Sequence, residues 1–399
     1  MKSERTAAVI GGGMAGMCAA ILLAEAGMKI TLYERQERIG KKILLTGNGR
    51  CNISHRGITE ADYRCDCPEE LKSILDAFPE ERRDAFLKEL GIALWEQRGC
   101  LYPVSRQASS VLDALRFRLK ELCVTICTDT EVRKLNPDLS LAFSGGERSG
   151  TYDIVILAAG GKAGVYGEES HSGLKLANGM GHSVRTPHPG LCGLKVTEEL
   201  KAAAGVRSSC ALKLVCEDGE FTEEGEVQFN RDSLSGIPVM QLSRFVDNAQ
   251  GCRLYLDLLP FLKEGTGELE ERAERFPGRN WEEYFAGWLN KKLALWLISS
   301  CGLKPSMKVG ETDERMRAAL FDACRNLCFH LYGTASWKEA QLMVGGIPLN
   351  ELKPTLESRK QPGVYILGEM LDVAGACGGY NLHFAMACAH VAADSILAS

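Results

Sequence analysis

The sequence lacks any long apolar run, and no stretch approaches the roughly 20 residues that a transmembrane helix needs. The first apolar strand pattern begins within a few residues of Met1, so we expect no secretory signal peptide. The formal net charge of −5 over 399 residues supplies no basic field for nucleic acid or an anionic membrane. These absences predict a cytoplasmic protein that acts on a small-molecule substrate, with no nucleic-acid or membrane partner, and they leave the oligomeric state open.

Metal-binding and redox cysteine patterns are also missing. The chain has 16 cysteines, but none form a C-x-x-C pair, and no histidine lies at zinc-ligand spacing beside them. We therefore expect reduced thiols in the protein core and no bound metal. The ordinary content of 45% hydrophobic and 25% charged residues is typical of a globular enzyme, and the length predicts two or three domains.

A glycine turn near the N-terminus is the most informative motif that is present. Gly11, Gly13 and Gly16 form G-x-G-x-x-G directly after the apolar run at residues 7–10. The first glycine allows a tight turn, the second lets a pyrophosphate approach the backbone, and the third lets a helix pack closely on a strand. A helix predicted over residues 18–26 would aim its positive dipole end at that pyrophosphate.

An acidic residue completes this unit. Glu34 follows a second predicted strand at residues 29–33, where a carboxylate can accept hydrogen bonds from ribose hydroxyls. Its charge would repel a 2′-phosphate, which argues against NADP at this site. The strand, helix, second strand and terminal acid together favour a dinucleotide site over a purely structural glycine turn.

Several later segments have residue patterns that are typical of loops and strand ends around a cofactor. Lys41 and Lys42 precede a glycine-rich loop at residues 46–52, which we interpret as wrapping the cofactor rather than as a solvated surface loop. Val132 lies in a predicted strand that offers backbone groups to an adenine edge. The buried run at residues 152–157 leads into Ala159, Gly160 and Gly161, as expected for a parallel strand whose carboxyl end meets a ligand.

The C-terminal segment repeats the pattern of strand, glycine turn and helix. A strand ends at Gly368 and Glu369, Asp372 follows, and a second glycine turn opens a terminal helix at residues 380–382. That helix start is a second point that can stabilise an anion. In a flavoprotein it suits the N1 and C2-carbonyl edge of the ring, with Glu369 or Asp372 at the ribityl hydroxyls; without a flavin it is an ordinary helix.

The middle of the chain changes character. Short predicted strands between residues 191 and 258 indicate an antiparallel sheet or small barrel. Residues 260–331 have a residue pattern typical of helices. We therefore expect a nucleotide-binding domain at 1–185 and 353–399 that is interrupted by a β-rich substrate domain at 186–259. A helical domain at 260–333 and a return strand of the β-rich domain at 334–352 complete this division.

These motifs resemble a family of bacterial FAD-binding flavoproteins that includes aminoacetone oxidases and the enone reductase of bile-acid dehydroxylation. The resemblance runs from end to end, and one departure is Asn48, where the family usually has glycine. It implies an α/β fold of the two-dinucleotide-binding superfamily: a discontinuous, Rossmann-like, glutathione-reductase-type FAD domain with inserted β-barrel-like and helical domains. The matching segments are residues 11–16 with Glu34, 40–52, 102–105 with Ala108, 157–161, Phe229 with 234–236, 344–346, 368–372 and 375–382.

The resemblance also implies bound FAD and redox chemistry. The residues expected at the cofactor are Gly11, Gly13, Met14, Ala15, Gly16, Glu34, Arg35, Lys42, Gly47, Asn48, Gly49, Arg50, Cys51, Asn52, Val132, Ala159, Gly160, Gly161, Gly368, Glu369, Asp372, Gly379, Asn381 and Leu382. Because no second nucleotide fingerprint is present, NADH or NADPH as a transient electron donor would dock without a Rossmann domain of its own.

The predicted activity is that of an FAD-dependent oxidoreductase. In the reductive version, flavin N5 delivers hydride to a conjugated C=C of an enone, with a steroid or bile-acid-like enone as a candidate, and an acid supplies a proton. Arg50 is a candidate to polarise the substrate carbonyl, and Tyr380, His383 and Tyr332 are candidate proton donors. The alternatives are an amine or aminoketone oxidase that uses oxygen, a non-catalytic FAD-binding redox sensor or RNA-associated factor, and an NAD-dependent dehydrogenase.

Overall fold

The computed structural model describes residues 5–164, 172–263 and 265–399, and the chain divides into two compact units. The first unit comprises Met1–His188 and Ala340–Ser399, and the second unit comprises Pro189–Glu339. Within the described residues, no helix combines the length and the apolar character needed to cross a bilayer.

The first chain segment alternates strands and helices, as a nucleotide-binding fold requires. A 3-10 segment at Ile43–Gly49 lies between the second and third strands. The elements are β1 (Thr6–Ile10), α1 (Met14–Glu25), β2 (Lys29–Tyr33), β3 (Ser54–His55), β4 (Tyr63–Arg64), α2 (Pro68–Asp76), α3 (Glu80–Glu89), β5 (Leu94–Gln97), β6 (Cys100–Pro103), α4 (Ala108–Glu121), β7 (Thr125–Cys127), β8 (Val132–Leu135), β9 (Ser140–Phe143), β10 (Arg148–Thr151), β11 (Ile154–Leu157), α5 (Ser172–Gly179) and β12 (Arg185–Gly190).

The remaining elements comprise those of the second unit and then the return of the chain to the first. The second unit contains β13 (Leu194–Val196), β14 (Arg207–Cys216), β15 (Gly219–Phe229), β16 (Ser233–Ser235), α6 (Ile237–Ser243), β17 (Arg253–Asp257), α7 (Gly267–Arg275), α8 (Trp281–Phe285), α9 (Lys291–Ser300), α10 (Glu314–Arg325) and β18 (Leu327–Thr334). The chain then forms β19 (Leu342–Gly346), β20 (Val364–Ile366), β21 (Ala374–Gly375) and α11 (Tyr380–Ala398).

A five-stranded parallel sheet forms the centre of the first unit, in the order β20-β11-β1-β2-β7. The chain direction across the sheet reverses between β1 and β11, and this switch point is where open α/β sheets bind ligands. Both strands are buried along their whole apolar length, because helices cover the two faces of such a sheet. The predicted Rossmann-like fold class is confirmed.

Helix α1 begins directly after Gly13, four residues earlier than the predicted start at Cys18. The earlier start places the first helical N–H groups at the glycine turn itself. Apolar residues cover nearly the whole circumference of α1 and of α11, and the two helices pack against each other. An all-round apolar helix is stable only when it is buried in this way.

The strands of the second unit form a closed antiparallel barrel in the order β13-β16-β15-β14-β17-β18. Along β14, Cys210, Leu212 and Leu214 are buried while their neighbours are more exposed; this alternation fills the barrel with leucine. The helices α7–α10 share one continuous apolar core with the barrel. Trp281 belongs to that core, and its indole N–H donates to Thr312 Oγ1 at 2.9 Å.

Two sequence expectations need correction in this part of the chain. The strand that returns to the barrel is β18 at Leu327–Thr334, ahead of the predicted 334–352 segment, because its apolar residues alternate as a barrel strand requires. The later strand β19 is buried at every position and pairs with β12. The expectation of reduced thiols is wrong for Cys216 and Cys252, which form a disulfide between the adjacent strand ends of β14 and β17.

Candidate functional site

The three fingerprint glycines have different surroundings. A Cβ on Gly11, whose φ is +110°, would lie 2.3 Å from the carbonyl oxygen of Ala158. A Cβ on Gly16 would lie 2.0 Å from the carbonyl oxygen of Gly11. A Cβ on Gly13 would meet no atom of the described residues within 4 Å, apart from its chain neighbours and its own helix. Gly11 and Gly16 therefore serve the close packing of the turn, whereas Gly13 keeps space open above the helix start.

That open space is part of a cleft at the carboxyl ends of the central strands, with a cavity volume of about 90 Å³. Many of the residues predicted from the sequence line it together, and residues that were not predicted complete it. The predicted ones are Gly11, Gly13, Glu34, Arg35, Lys42, Val132, Ala159, Gly160 and Gly161, and the additional ones include Gly12, Tyr33, Gly40, Thr130, Glu131 and Ser172.

Glu34 is held in place by two backbone donors at the end of β2. Its Oε2 accepts from the N–H of Gly12 at 3.0 Å, and its Oε1 accepts from the N–H of Gln36 at 2.9 Å. Each carboxylate oxygen has a second lone pair. The side chain is thus oriented at the rim of the cleft with acceptor capacity left for hydroxyl groups.

An ion pair joins the loop after β2 to the C-terminal return of the chain. Lys42 Nζ lies 2.5 Å from Glu369 Oε2, and Glu369 Oε1 accepts from the N–H of Met343 at 2.9 Å. A Cβ on Gly161 would come within 3.0 Å of the same carboxylate. Two predicted cofactor residues that are 327 positions apart in sequence therefore meet at the edge of the cleft.

Ala15 and Gly368 meet where the two halves of the first unit come together. Met14 and Ala15 form the first turn of α1 and are 6% and 7% exposed. A Cβ on Gly368, whose φ is +68°, would lie 3.1 Å from the side chain of Ala15. The C-terminal return thus packs against the start of the first helix, and the glycine permits that approach.

The loop at residues 46–52 has an unusual backbone. Gly47, Asn48, Gly49 and Cys51 all have φ between +53° and +81°, a region that residues other than glycine rarely adopt. Asparagine tolerates this region better than most residues, which explains why Asn48 can replace a glycine. Such strained backbone is concentrated at ligand sites. Burial raises the pKa of the Cys51 thiol to about 11, so this cysteine is no nucleophile.

A second glycine turn precedes α11. Gly378 and Gly379 have φ of +128° and +100°, and a Cβ on Gly379 would lie 2.6 Å from the carbonyl oxygen of Ser54 and 2.7 Å from Asn52 Oδ1. The side chain of Asn381 holds this turn, because it accepts from the N–H of Gly375 at 2.9 Å and donates to the carbonyl of Gly375 at 3.1 Å. Asn381 therefore contributes to the site through the turn that it shapes, and Leu382 follows it in the half-buried first turn of the helix.

Asn52 carries an unsatisfied acceptor at this second turn. The residue is 9% exposed, and its Oδ1 has no hydrogen-bond donor among the atoms that the structure describes. A buried acceptor without a partner costs about 1–3 kcal/mol, and an N–H group supplied by a ligand at this turn would satisfy it. FAD fits both turns: its pyrophosphate suits the open space at Gly13, and its pyrimidine N–H suits Asn52 beside the α11 start.

Asp372 is engaged by an arginine rather than left open for a ligand. Arg185 forms ion pairs with Asp372, at 3.1 Å, and with Asp66. Burial raises the pKa of the Asp372 carboxyl, and the Arg185 charge opposes that shift. The predicted contact of Asp372 with a ribityl chain would compete with this pair.

The predicted catalytic candidates differ in burial and in the unit of the chain to which they belong. Arg50 is exposed at the end of the strained loop. Tyr380 is half-buried; its ring stacks on His55 at 5.1 Å, and its carbonyl accepts from the hydroxyl of Tyr63 at 2.9 Å. Tyr332 is 51% exposed on β18 of the second unit.

His383 does not fit the predicted role of proton donor. It is 3% exposed, and its Nδ1 lies 3.0 Å from the hydroxyl of Ser54. Burial and the neighbouring charge of Arg83 lower the pKa of His383 to about 3, so the imidazole is neutral at physiological pH. Its place in the apolar interior of α11 makes it a support beneath the turn rather than a group that meets substrate.

The chain was compared with known proteins. The family described as "HI0933-like protein Rossmann domain" matches residues 5–395. The chain is 34% identical over 397 residues to the 3-dehydro-bile acid delta(4,6)-reductase of Clostridium scindens, covering 96% of this chain and 97% of the relative. It is 29% identical over 409 residues to the ribosomal RNA dihydrouridine synthase of Escherichia coli, covering 98% of both.

Solved structures resemble the chain in fold. Mycobacterium smegmatis Sdh1 in complex with UQ1 gives a TM-score of 0.50 at 15% identity, covering 99% of this chain and 70% of that one. The 3-ketosteroid-delta4-(5alpha)-dehydrogenase of Rhodococcus jostii RHA1 gives 0.49 at 15% identity, covering 100% and 98%. At 15% identity, the likeness to Sdh1 speaks for the fold alone.

Proposed function

The chain belongs to the family of HI0933-like Rossmann-domain proteins, and from that premise we propose that it reduces a carbon–carbon double bond conjugated with a carbonyl group. It is an FAD-dependent oxidoreductase, and the proposal concerns its substrate and direction. The observation that carries the proposal is the end-to-end similarity, at 34% identity, to a relative named as a reductase of a 3-dehydro-bile acid. The substrate class is accordingly an enone or dienone, with a steroid-like frame as the first choice.

The residues of the first unit have separate tasks in this reaction. The open space at Gly13 and the positive end of α1 bind the pyrophosphate, and Glu34 accepts hydrogen bonds from the ribose of the adenosine half. The positive end of α11 stabilises negative charge at the second turn. To Arg50, which is exposed at the end of the strained loop and acts electrostatically on Tyr102, we assign the polarisation of a substrate carbonyl. When bound, FAD supplies a hydride at its N5 atom.

Reduction of a base in RNA is the second candidate, because the Escherichia coli relative is named as a ribosomal RNA dihydrouridine synthase. Forming dihydrouridine also adds hydrogen to a conjugated C=C. The formal net charge of −5 argues against it, since RNA binding depends on basic surface that releases counterions. The small-molecule substrate is therefore the better proposal for this chain.

Oxidant preference of the reduced holoenzyme tests the proposal. The enzyme is reduced anaerobically with NADH, NADPH or dithionite and mixed with 4-androstene-3,17-dione, 2-cyclohexenone, an rRNA transcript or oxygen, while flavin absorbance is followed. We expect the enones to reoxidise the flavin faster than oxygen or the transcript does. Fast reoxidation by the transcript alone, or by oxygen alone, would overturn the proposal in favour of the RNA or the oxidase activity. Bleaching by NADH or NADPH would identify the electron donor.

A further inference from the structure

Tyr102 was not among the predicted site residues, although it opens one of the segments that resemble the flavoprotein family. We propose that its phenol donates the proton that completes the reduction, at the carbon next to the substrate carbonyl. This inference rests on the proposed function, because it assigns the acid of the same reaction. Its basis is the position of Tyr102 between the strained loop and the second glycine turn.

Strand alternation places Tyr102 on the face that meets this turn. In β6, Leu101 and Pro103 are buried, whereas Cys100 and Tyr102 are half-buried on the opposite face. A Cβ on Gly378 would lie 3.8 Å from Cys100 Sγ, so this face of β6 adjoins the turn before α11. Residues two apart in a strand share a face, and Tyr102 therefore lies beside the same turn.

Aromatic packing fixes the ring of Tyr102. Trp95 is its cross-strand partner in β5, and the two ring centroids are 5.9 Å apart. The guanidinium of Arg106 lies 3.8 Å from the centroid of the Trp95 ring and covers it. A ring held in this way presents its hydroxyl in one direction with little loss of side-chain entropy on binding.

Polar neighbours orient the hydroxyl itself. Asn52 Nδ2 donates to Tyr102 Oη at 3.4 Å, and the Cys100 thiol is a second hydrogen-bonding neighbour. The other end of the Asn52 amide is the buried Oδ1 next to Gly379, which has no donor within the described part of the chain. One amide thus connects Tyr102 to the place where the ring of the cofactor fits.

The chemical state of Tyr102 suits a proton donor. Burial and the Cys100 thiol raise the pKa of its phenol above the ordinary value, so the hydroxyl keeps its proton at physiological pH. In the proposed step the Tyr102 O–H bond breaks and a C–H bond forms at the carbon next to the carbonyl. The hydride on the other alkene carbon comes from FAD reduced by a nicotinamide-type donor, and water returns a proton to the phenolate.

The test compares Tyr102→Phe with Tyr255→Phe in the holoenzyme. Tyr255 is a half-buried tyrosine on β17 of the barrel, and losing its hydroxyl controls for the substitution itself. We expect reoxidation of the reduced Tyr102→Phe enzyme by 4-androstene-3,17-dione to slow by about 100-fold or more. FAD content, reduction of the flavin and its reoxidation by oxygen should match the wild type, as should every rate of Tyr255→Phe.

Two further readouts separate proton donation from a structural role. The oxidised Tyr102→Phe holoenzyme should bind 4-androstene-3,17-dione, followed by perturbation of flavin absorbance, with a Kd within about threefold of wild type. In D₂O the wild type should place deuterium on one face of the carbon next to the carbonyl. The residual product of the variant should carry it on both faces, because water then supplies the deuterium.

The outcomes distinguish the inference from the proposed function. A Tyr102→Phe enzyme that reacts with the enone at the wild-type rate, with unchanged deuterium placement, overturns the role of Tyr102 alone. If no enone reoxidises the flavin of the reduced wild-type enzyme, the proposed function is overturned, and this inference with it. If the variant loses FAD, the wild-type pH profile decides: enone reoxidation should fall only above pH of about 10, where a phenol ionises, and an earlier fall contradicts the assignment.

Discussion

The two helix starts of the first unit differ in how they are built. Both α1 and α11 follow a glycine, and neither has a side-chain cap, so each leaves its first N–H groups to a ligand. The α1 turn comes from one contiguous motif, Gly11 to Gly16. The α11 turn depends on contacts with Asn52, Ser54 and Cys100, which lie some 280 to 330 positions away in sequence. The α1 turn is thus built by residues adjacent in sequence, whereas the α11 turn is assembled by contacts between distant segments.

This difference suggests that the α1 turn serves to bind the nucleotide half of the cofactor, whereas the α11 turn lies where we propose the reaction takes place. The α1 turn, with Glu34 and Lys42 near it, provides the features of a generic dinucleotide site. The α11 turn gathers the strained loop, the unsatisfied Asn52 and the oriented Tyr102. Variants at the two turns should therefore affect different halves of one cofactor.

The largest effect is expected at the first turn. Gly13→Val puts a side chain into the open space that we assign to the pyrophosphate, which no other segment of the described chain approaches within 4 Å. The protein should fold normally but purify without FAD, and its affinity for ADP should also fall beyond detection. Gly150→Val, at an exposed strand position with similar open space, is the control. A yellow Gly13→Val protein with one FAD per chain would contradict the assignment.

A smaller effect is expected at the second turn. Gly379→Ala forces a Cβ within 2.7 Å of Ser54 and Asn52 at a φ of +100°, so the turn must shift. FAD affinity should fall by about 10- to 100-fold, which corresponds to about 1.4–2.8 kcal/mol, while ADP affinity measured by calorimetry stays at the wild-type value. Equal losses for FAD and ADP would mean that the two turns do not hold separate halves of the cofactor.

The smallest effect concerns the support beneath the second turn. Because the pKa of His383 is lowered to about 3, the unfolded chain binds more protons than the native one between that pH and the ordinary value near 6.5. Stability from the neutral imidazole is thus fully present above pH of about 6.5 and is lost as the pH falls toward 3. His383→Asn should make the unfolding free energy depend less steeply on pH between pH 6 and 4. The decrease in slope should correspond to up to about one proton bound on unfolding. Urea titrations at each pH measure this slope, and an unchanged slope would show that His383 is not buried as a neutral base.

The sequence was informative wherever a local pattern determines the structure. The fingerprint, Glu34 at the end of β2 and the buried run before Gly160 are each set by neighbours in the chain, and the parallel sheet follows from them. The end-to-end resemblance additionally predicted the inserted barrel and the FAD cofactor. Strand alternation in β6 could have indicated that Cys100 and Tyr102 share a face, but not that this face meets Gly378.

The predictions that were wrong or absent concern contacts between segments that are distant in sequence. The local sequence around His383 cannot show that Arg83 and Ser54 bury it, so a helix-start histidine was predicted as a proton donor. The Cys216–Cys252 disulfide depends on the register of β14 against β17, which no cysteine spacing reveals. Asp372 pairs with Arg185, which lies far earlier in the chain, before the barrel strands. Each miss is a tertiary contact that local pattern does not encode.

The central claim is that electrons from the bound flavin pass to a conjugated C=C. Its most direct test is a single anaerobic turnover, in which one equivalent of reduced holoenzyme meets one equivalent of 4-androstene-3,17-dione and the product is analysed by mass spectrometry. We predict stoichiometric flavin oxidation and a product heavier by two hydrogens. An unchanged enone beside a flavin that oxidises only when air is admitted would contradict the claim.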